Sequence, residues 1–542
     1  MECGHFFRIG ILVLAAVLAT PIASAATIEV NGPTVISSPG TYVLTQDISA
    51  NQGPAISIRS SNVIFDGRGY TIDGVDAGSS FGILVNNGKT PLTGVTVKNV
   101  RLTDWYDGLY FKYVDASRIE SVTASSNIRA GISLCYANDN VLTGSTVNGN
   151  GQGMYVWSRC SRNRIESCTM SDNSETGLWL ASTGRTANGI VYDSTDNRVI
   201  GNTASGNGRM GLYVDFSDGN ILSNNRVTAN KQFGIFLDYS TRTRVEDNTV
   251  SGGSEQAIYL YDADETALVG NTVSGAVDYG IWISSSSGAT IRSNEITKNG
   301  KGGLVLNGEE TIPANDHTIV SNTIRDNGDV GLYLCRSAGN IITDNLFSNP
   351  ANVRFGGACG GSTWSDDGHP GTSIVNGPTL GGNYWGSPSG TGFSEKTADA
   401  NGDGICDAPY VINANNTDRL PLARSRGAGT AAPTATTSPP AQSTPPPIVL
   451  PSITPTATST AGPQVLNASL PALPGAPASP RDVDGDGRYE DVNGNGRTDF
   501  SDITLLFNNM GSLPGAYPVT AFDFNGNNRI DFADVTVLFG TL

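Results

Sequence analysis

The sequence predicts a mainly-β solenoid followed by an extended spacer and a small separate module, and three observations carry that reading. First, a phrase of glycine, aliphatic, aromatic, aliphatic keeps returning, as in Gly153-Met-Tyr-Val, Gly177-Leu-Trp-Leu, Gly211-Leu-Tyr-Val, Gly234-Ile-Phe-Leu and Gly280-Ile-Trp-Ile. The phrases begin at Gly108, Gly131, Gly153, Gly177, Gly211, Gly234, Ala257, Gly280, Gly303 and Gly331, in steps of 23, 22, 24, 34, 23, 23, 23, 23 and 28 residues. Self-similarity at such a period marks coils that stack on one another. Second, aliphatic columns flank the middle residue: Leu212, Ile235 and Ile258 before it, Val214, Leu237 and Leu260 after it. Side chains alternate faces along a strand, so both columns point inward and the middle residue points outward. Third, Asn202, Asn225, Asn248, Asn271, Asn294, Asn322 and Asn345 recur at 23 residues with one step of 28. Coils lie about 4.8 Å apart, which suits an amide hydrogen-bond ladder at a turn.

Taken in order, residues 1–25 have the form of an export signal. Arg8 closes a short charged region, Ile9 to Thr20 is apolar, and Ala23-Ser24-Ala25 is a small-residue cleavage site. This predicts an exported chain that starts near Ala26 and has no transmembrane anchor, since no second apolar run of spanning length follows. Residues 26–80 are expected to hold an N-terminal cap and the first coils, because a terminal coil otherwise leaves strand edges open. Residues 81–422 carry the coils. The two long steps insert Ser182 to Asp196 and Glu309 to Ala314, both after the aromatic strand, where insertions decorate a binding face. Residues 423–480 are rich in Pro, Thr, Ser and Ala, a composition that cannot bury a core and predicts a semi-rigid linker. Residues 481–542 form a separate module with ten acids against four arginines.

The net charge of −17 disfavours nucleic acid and anionic membranes as partners. Six cysteines remain once Cys3 leaves with the signal, and export permits disulfides. Cys135 with Cys160, and Cys335 with Cys359, are the neighbouring-coil candidates.

Beyond the repeat itself, four stretches are distinctive: Ile36 to Leu44, Asn62 to Gly74, Gly381-Gly-Asn-Tyr-Trp-Gly386, and Asp399 to Ile412. Together with the coils they closely resemble the right-handed parallel β-helix of the pectin-lyase fold, and within it the NosD-type β-helix proteins, over about residues 30–422. The resemblance implies the fold; one fold hosts many activities. The NosD likeness also implies copper delivery. Copper favours His, Met and Cys, yet the mature chain has only His317 and His369 and no Met-rich run, so copper is not expected.

In the tail, two segments align 32 residues apart. Asp491, Asn493, Asn495, Arg497, Asp499 and Asp502 match Asp523, Asn525, Asn527, Arg529, Asp531 and Asp534 at positions 1, 3, 5, 7, 9 and 12 of a calcium loop. A hard cation takes six to eight oxygens from such positions, and position 7 gives only its carbonyl, so the arginines are acceptable. Calcium is the expected cofactor. The paired loops, each ending in Asp before a short apolar segment, resemble the type I dockerin module, which implies a cohesin-like surface partner. Dockerins use loop positions 10 and 11; here these are Phe500-Ser501 and Phe532-Ala533, so docking of the tail onto its own protein stays open beside it. Asp482, Asp484 and Asp486, and separately Asp399, Asn401, Asp403 and Asp407, repeat the alternation. Each set is either a further ion site or a plain acidic turn.

Chemistry on the solenoid would sit on the outward column Tyr110, Ser133, Tyr155, Trp179, Tyr213, Phe236, Tyr259, Trp282, Val305 and Tyr333. Tyr155, Trp179, Tyr213, Phe236, Tyr259 and Trp282 are the ligand-binding candidates, because flat rings beside acids suit a polysaccharide or glycoprotein. The competing reading is that aromatics simply favour strands and are covered. Asp215 and Asp238, outward on adjacent coils, and Asp262 beyond them are the catalytic candidates. Two carboxyls at a set separation serve glycoside hydrolysis, and acids holding calcium serve a lyase of this fold. No basic column stands beside them, Lys112 being several coils away, and surface acids of no function remain the alternative. Three functions stay open: a secreted cell-surface binding protein tethered by its calcium module, a polysaccharide lyase or hydrolase, and a structural envelope component.

Overall fold

The computed structural model describes residues 27–424 except 183, 187–188, 192–193 and 254, and near the C-terminus 470–473, 476–483, 487–498, 500–509, 513, 517–524, 530, 534–535 and 538. The chain divides into two compact units, Met1–Ala432 and Pro433–Leu542.

The first unit is a parallel β-solenoid of three 14-stranded sheets, each coil giving one strand to each sheet. Leu212–Asp215 lies in the sheet that carries the phrases, called the phrase sheet below; Ile221–Ser223 and Arg226–Thr228 lie in the other two. The next coil stacks in register, Leu212 on Ile235, Tyr213 on Phe236, Val214 on Leu237 and Asp215 on Asp238. Both aliphatic columns are buried to within 1% of full cover from the Gly108 phrase to the Gly331 phrase. The short strands of the other two sheets each point one residue inward, such as Leu222, Val245 and Leu268 on one and Val227, Val250 and Val273 on the other. One corner turns through a left-handed residue in coil after coil, Asn224 at φ 56°, Asp247 at 53° and Gly270 at 66°, which is where Asn, Asp and Gly are tolerated best.

The predicted asparagine column is a ladder. Each Nδ2 donates to the next Oδ1, at 3.0 Å from Asn202 to Asn225 and 2.9 Å from Asn322 to Asn345, and the ladder runs on to Asn383 at 2.9 Å. The other two corners carry ladders of their own: Asn127, Asn150, Asn173, Asn207 and Asn230 on one, Asn140, Asn163, Asn197 and Asn220 on the other. Farther along the second of these, His317 takes a rung. Its Nδ1 accepts the Ala289 N–H at 3.2 Å and its own N–H donates to Asn340 Oδ1 at 3.0 Å.

Burial pushes the His317 imidazole down to about 4. A folded value below the unfolded one of 6.5 means that stability is present above 6.5 and is lost as pH falls towards 4. The expected loss is about 3 kcal/mol between neutral pH and pH 4, read from urea unfolding. Most of it should vanish in His317→Asn, which restores an amide rung; an unchanged pH dependence would count against this account.

Residues 27–80 supply strands to all three sheets, beginning with Thr27–Val30, Thr34–Ile36 and Ile48–Ser49, which are the first coils expected there. The two expected cysteine pairings are corrected. Cys135, Cys168, Cys335, Cys359 and Cys406 are free thiols. Register sets Cys135 beside Trp157 and Cys335 beside Gly356, and the Cys160 and Cys359 thiols instead meet the carbonyls of Trp157 and Leu334 at 3.2 Å. Toward its C-terminal end the core is closed by Phe347, Trp364 and Trp385; Trp385 stacks on Phe347 at 5.1 Å and meets Trp364 at a tilt at 5.8 Å. Among the described residues no helix is long and apolar enough to cross a membrane.

The second unit contains the helix Phe500–Asn509 and packs Val492, Ile503, Leu506 and Phe522 into a small core.

Candidate functional site

The outward column of the phrase sheet forms a stack. Ring centroids lie 4.9 Å apart for Tyr155–Trp179, 5.5 Å for Trp179–Tyr213, 5.1 Å for Tyr213–Phe236 and 4.9 Å for Phe236–Tyr259. These rings are half-buried. Their faces lie against one another, so the stack presents ring edges and polar tips to solvent, which corrects the picture of open flat faces. Trp282 instead meets Tyr279 edge-on at 5.0 Å. Tyr110, Ser133 and Val305 point outward in the same column but are buried. Alternation fixes direction, not exposure.

Ser133 leaves a gap in the stack that the Arg129 guanidinium fills, 5.6 Å from the Tyr110 ring, 5.8 Å from Tyr155 and 5.0 Å from Tyr106. A planar cation substitutes there for a ring. Arg129 forks onto Asp107, its Nε donating to Oδ1 at 2.8 Å and its Nη2 to Oδ2. Asp107 is fully buried. The sequence reading did not single out Arg129; the lone serine in an aromatic column was the available signal.

Asp215 and Asp238 are register partners on adjacent coils. Tyr213 donates its hydroxyl to Asp238 Oδ2 at 3.1 Å. Burial, and then the neighbouring Asp238 charge, pushes Asp215 up to about 6. Burial also raises Asp238 above its ordinary value, with Asp262 adding to the rise and the Tyr213 hydrogen bond opposing it. At one rung of separation two such charges repel by about 3 kcal/mol in an effective dielectric of 20. Among the described residues no ion pair reaches either carboxylate. Groups held in this condition cluster at functional sites.

A second row of rings, missed in the sequence, flanks the pair. Phe216 stacks on Tyr239 at 4.8 Å, Tyr239 meets Tyr261 at 5.4 Å, and Tyr261 reaches Tyr259 at 6.4 Å. With Tyr213 and Phe236 these rings make a horseshoe around Asp215 and Asp238. Its open end is Ala181, the register neighbour of Asp215, after which the insertion begins as an antiparallel hairpin, Gly184–Thr186 with Gly189–Val191. The 23-residue spacing of Phe216, Tyr239 and Asp262 was the missed signal. Asp262 adjoins Tyr261 at a left-handed corner, φ 47°. Asp264 braces the turn by accepting the Ser287 N–H at 2.6 Å, and Asp193 lies outside the described residues.

Of the calcium-loop candidates, Asp491, Asn493, Asn495, Arg497, Asp502, Asp523, Asp534 and Asp482 are described; Asp484, Asp486, Asp499, Asn525, Asn527, Arg529 and Asp531 lie outside the described residues. In the first loop Asp491 accepts the N–H of Asn495 at 3.0 Å and of Gly496 at 2.8 Å. Asn493 accepts Asn495 N–H at 2.9 Å, Asn495 accepts Arg497 N–H at 2.8 Å, and Asp502 accepts Asn493 N–H at 2.8 Å. Asp491 and Asp502 are fully buried. The Asp399 loop of the first unit repeats four of these bonds: Asp403 N–H to Asp399 and to Asn401, Gly404 N–H to Asp399, and Ile405 N–H to Asp403, at 2.8 to 3.2 Å. There Asp407 closes the loop by accepting Ala400 N–H at 3.1 Å. Asp482 likewise accepts Gly487 N–H at 2.8 Å. Among the described residues no three acidic, histidine or cysteine side chains converge on one point. The donor set of the first loop, two buried carboxylates with amide oxygens held by backbone N–H groups, suits a hard cation.

A family model described as right handed beta helix region matches residues 27–188, 188–347 and 279–401, and one described as Dockerin type I domain matches residues 489–542. No curated protein matches the chain. Among solved structures, the chain is similar to the A-module of the mannuronan C-5 epimerase AlgE4 of Azotobacter vinelandii, at 16% identity over 50% of this chain and 84% of that one, TM-score 0.44. It is similar also to the periplasmic alginate epimerase AlgG, at 16% identity over 59% and 78%, TM-score 0.31. A third likeness is to the Dettilon tailspike protein, at 16% identity over 62% and 61%, TM-score 0.33.

Proposed function

From the premise that the chain belongs to the right-handed β-helix family and carries a dockerin type I module at residues 489–542, we propose that it is an exported, surface-associated protein that binds polysaccharide or glycoprotein along its phrase sheet. The observation that carries the reading is the pair Asp215 and Asp238, held half-buried beside a continuous row of rings without a cation among the described residues. Folding does not require two like charges there, and a β-helix could hold any polar residue at those outward positions. The dockerin-type module would tether the protein to a cohesin-like partner. Calcium would be held by Asp491, Asn493, Asn495, Asp499, Asp502 and the Arg497 carbonyl, and by Asp523, Asn525, Asn527, Asp531, Asp534 and the Arg529 carbonyl. Held there, calcium would offset the charge of the buried loop carboxylates next to the start of the helix Phe500–Asn509. The Asp399 loop, with Asn401, Asp403 and Asp407, is a further calcium candidate on the strength of its four matching bonds.

The test is binding of the full chain to an array of anionic, neutral and amino glycans. Trp179→Ala is expected to weaken the best ligand about tenfold, the loss of one central ring contact. Binding that Trp179→Ala and Trp282→Ala leave unchanged would remove the stripe from the account. A hydrolytic reading is favoured by one observation, a carboxyl held near 6 beside a second one, the pattern of an acid and its partner. Release of reducing ends by the wild type, lost in Asp238→Ala, would establish it in place of simple binding.

A further inference from the structure

We propose that the horseshoe around Asp215 and Asp238 docks a glycan bearing free amino groups, with an ammonium group seated between the two carboxylates. This rests on the glycan-binding reading above and adds the chemistry of the sugar.

Charge complementarity selects the occupant. Two cations of this face already have partners, Arg129 with Asp107 and Lys301 with Asp278. Asp215 and Asp238 stand on adjacent rungs with no cation among the described residues, and Asp262 lies at the corner beside them. An anionic polymer would bring its carboxylates or sulfates against both carboxylates. A neutral polymer can hydrogen-bond the pair and still leaves both charges in place. An ammonium group brings one positive charge and three N–H donors, enough to reach both carboxylates at once.

The surroundings favour the same answer. Tyr213, Phe236 and Tyr259 form one wall, Phe216 and Tyr239 the other, and Tyr261 joins them. Such walls displace water from the carboxylates, and a charge pair is stronger where water is thinned. The seat is also longer than a single amine needs. The ring row continues through Trp179 to Tyr155. A polymer of sugar rings, with hydroxyls along its length, uses that row; an isolated lysine side chain does not.

The decisive experiment is calorimetric titration of the full chain, in calcium and just below neutral pH, with glucosamine hexamer and with its fully N-acetylated counterpart. Acetylation removes the charge and keeps the sugar. The free-amine hexamer is expected to bind at least tenfold more tightly, and Asp215→Asn and Asp238→Asn should each erase that preference. Each Asn relieves a like-charge contact, so the melting temperature should hold or rise. Asp238→Glu, which keeps the charge, should retain the preference.

Equal affinity for the two hexamers, or a preference that survives both Asn variants, overturns the amine inference while leaving glycan binding in place. No binding of the glucosamine hexamer overturns it too. Oligolysine binding as tightly as the glucosamine hexamer would mean a cation seat with no use for the sugar. Tighter binding of a uronate oligomer, abolished by EDTA, would mean that the carboxylates hold a metal ion instead. Affinity of every glycan untouched by Trp179→Ala is the separate result that defeats the binding reading itself.

Discussion

Removal of calcium with EDTA is expected to abolish the cooperative melting of the C-terminal unit while the larger β-helix transition survives in the same calorimetric trace. Asp491 and Asp502 are fully buried and both accept hydrogen bonds from backbone N–H groups inside one loop. Carboxylates taken out of water cost several kcal/mol unless a cation or hydrogen bonds offset them. An ion present at a thousandfold excess over its dissociation constant adds about 4 kcal/mol. A unit with so small a core rarely has more than about 3–5 kcal/mol to lose. Asp502→Ala should mimic the chelator, and cohesin-type partner binding should disappear with either. A C-terminal transition that persists in EDTA at an unchanged temperature would rule out the calcium account.

Asn248→Ala should destabilise the β-helix by about 4 kcal/mol, among the largest effects of any single substitution. Asn248 Nδ2 donates to the Leu222 carbonyl at 2.8 Å and to Asn271 Oδ1 at 3.0 Å. Its Oδ1 accepts both the backbone N–H and the side-chain amide of Asn225 at 2.9 Å. Alanine leaves the Asn225 N–H and the Leu222 carbonyl buried without these partners, and each such group costs about 1–3 kcal/mol. Urea unfolding should show a lower midpoint with the same slope. Asn248→Asp keeps the acceptor but sets a second carboxylate oxygen against the Leu222 carbonyl and Asn271 Oδ1, so it should not rescue the loss. A loss below about 1 kcal/mol for the alanine would mean that the ladder relaxes or recruits water.

The solenoid was legible because its core imposes one demand on every coil. Leu212, Ile235 and Ile258 must be apolar at a fixed step, and Asn202 to Asn345 must be amides at a fixed step, so the period survives insertion and drift. The candidate site was legible only in part. Tyr213 and Asp215 follow from alternation along a strand. Phe216 and Tyr239 do not, because they sit at corners where φ turns to 47° and alternation stops. Arg129 was missed for a related reason: a long side chain travels several ångströms from its own position, and local pattern is blind to where it lands. The cysteine pairings failed because backbone hydrogen bonds fix which residues meet across coils, and they set Cys135 against Trp157.

The main asparagine ladder has a direction. Every rung donates from one coil to the next, from the Asn202 backbone to Asn225 and so on to Asn345 and Asn383. Aligned amides add as dipoles, with the donor end facing the C-terminal side. There the Asn383 N–H ends on the buried Asp418 carboxylate at 2.7 Å, which the Trp385 indole also reaches at 2.7 Å. The column is thus a row of small dipoles that stops on an anion, as a helix N-terminus does. A chain lengthened by one 23-residue unit inside the ladder adds a dipole of the same sense and still finishes on Asp418. Coils grafted onto an end lacking that carboxylate would leave the last donor unanswered. Length is therefore free to vary within the stack, and the terminus is the part that cannot be exchanged.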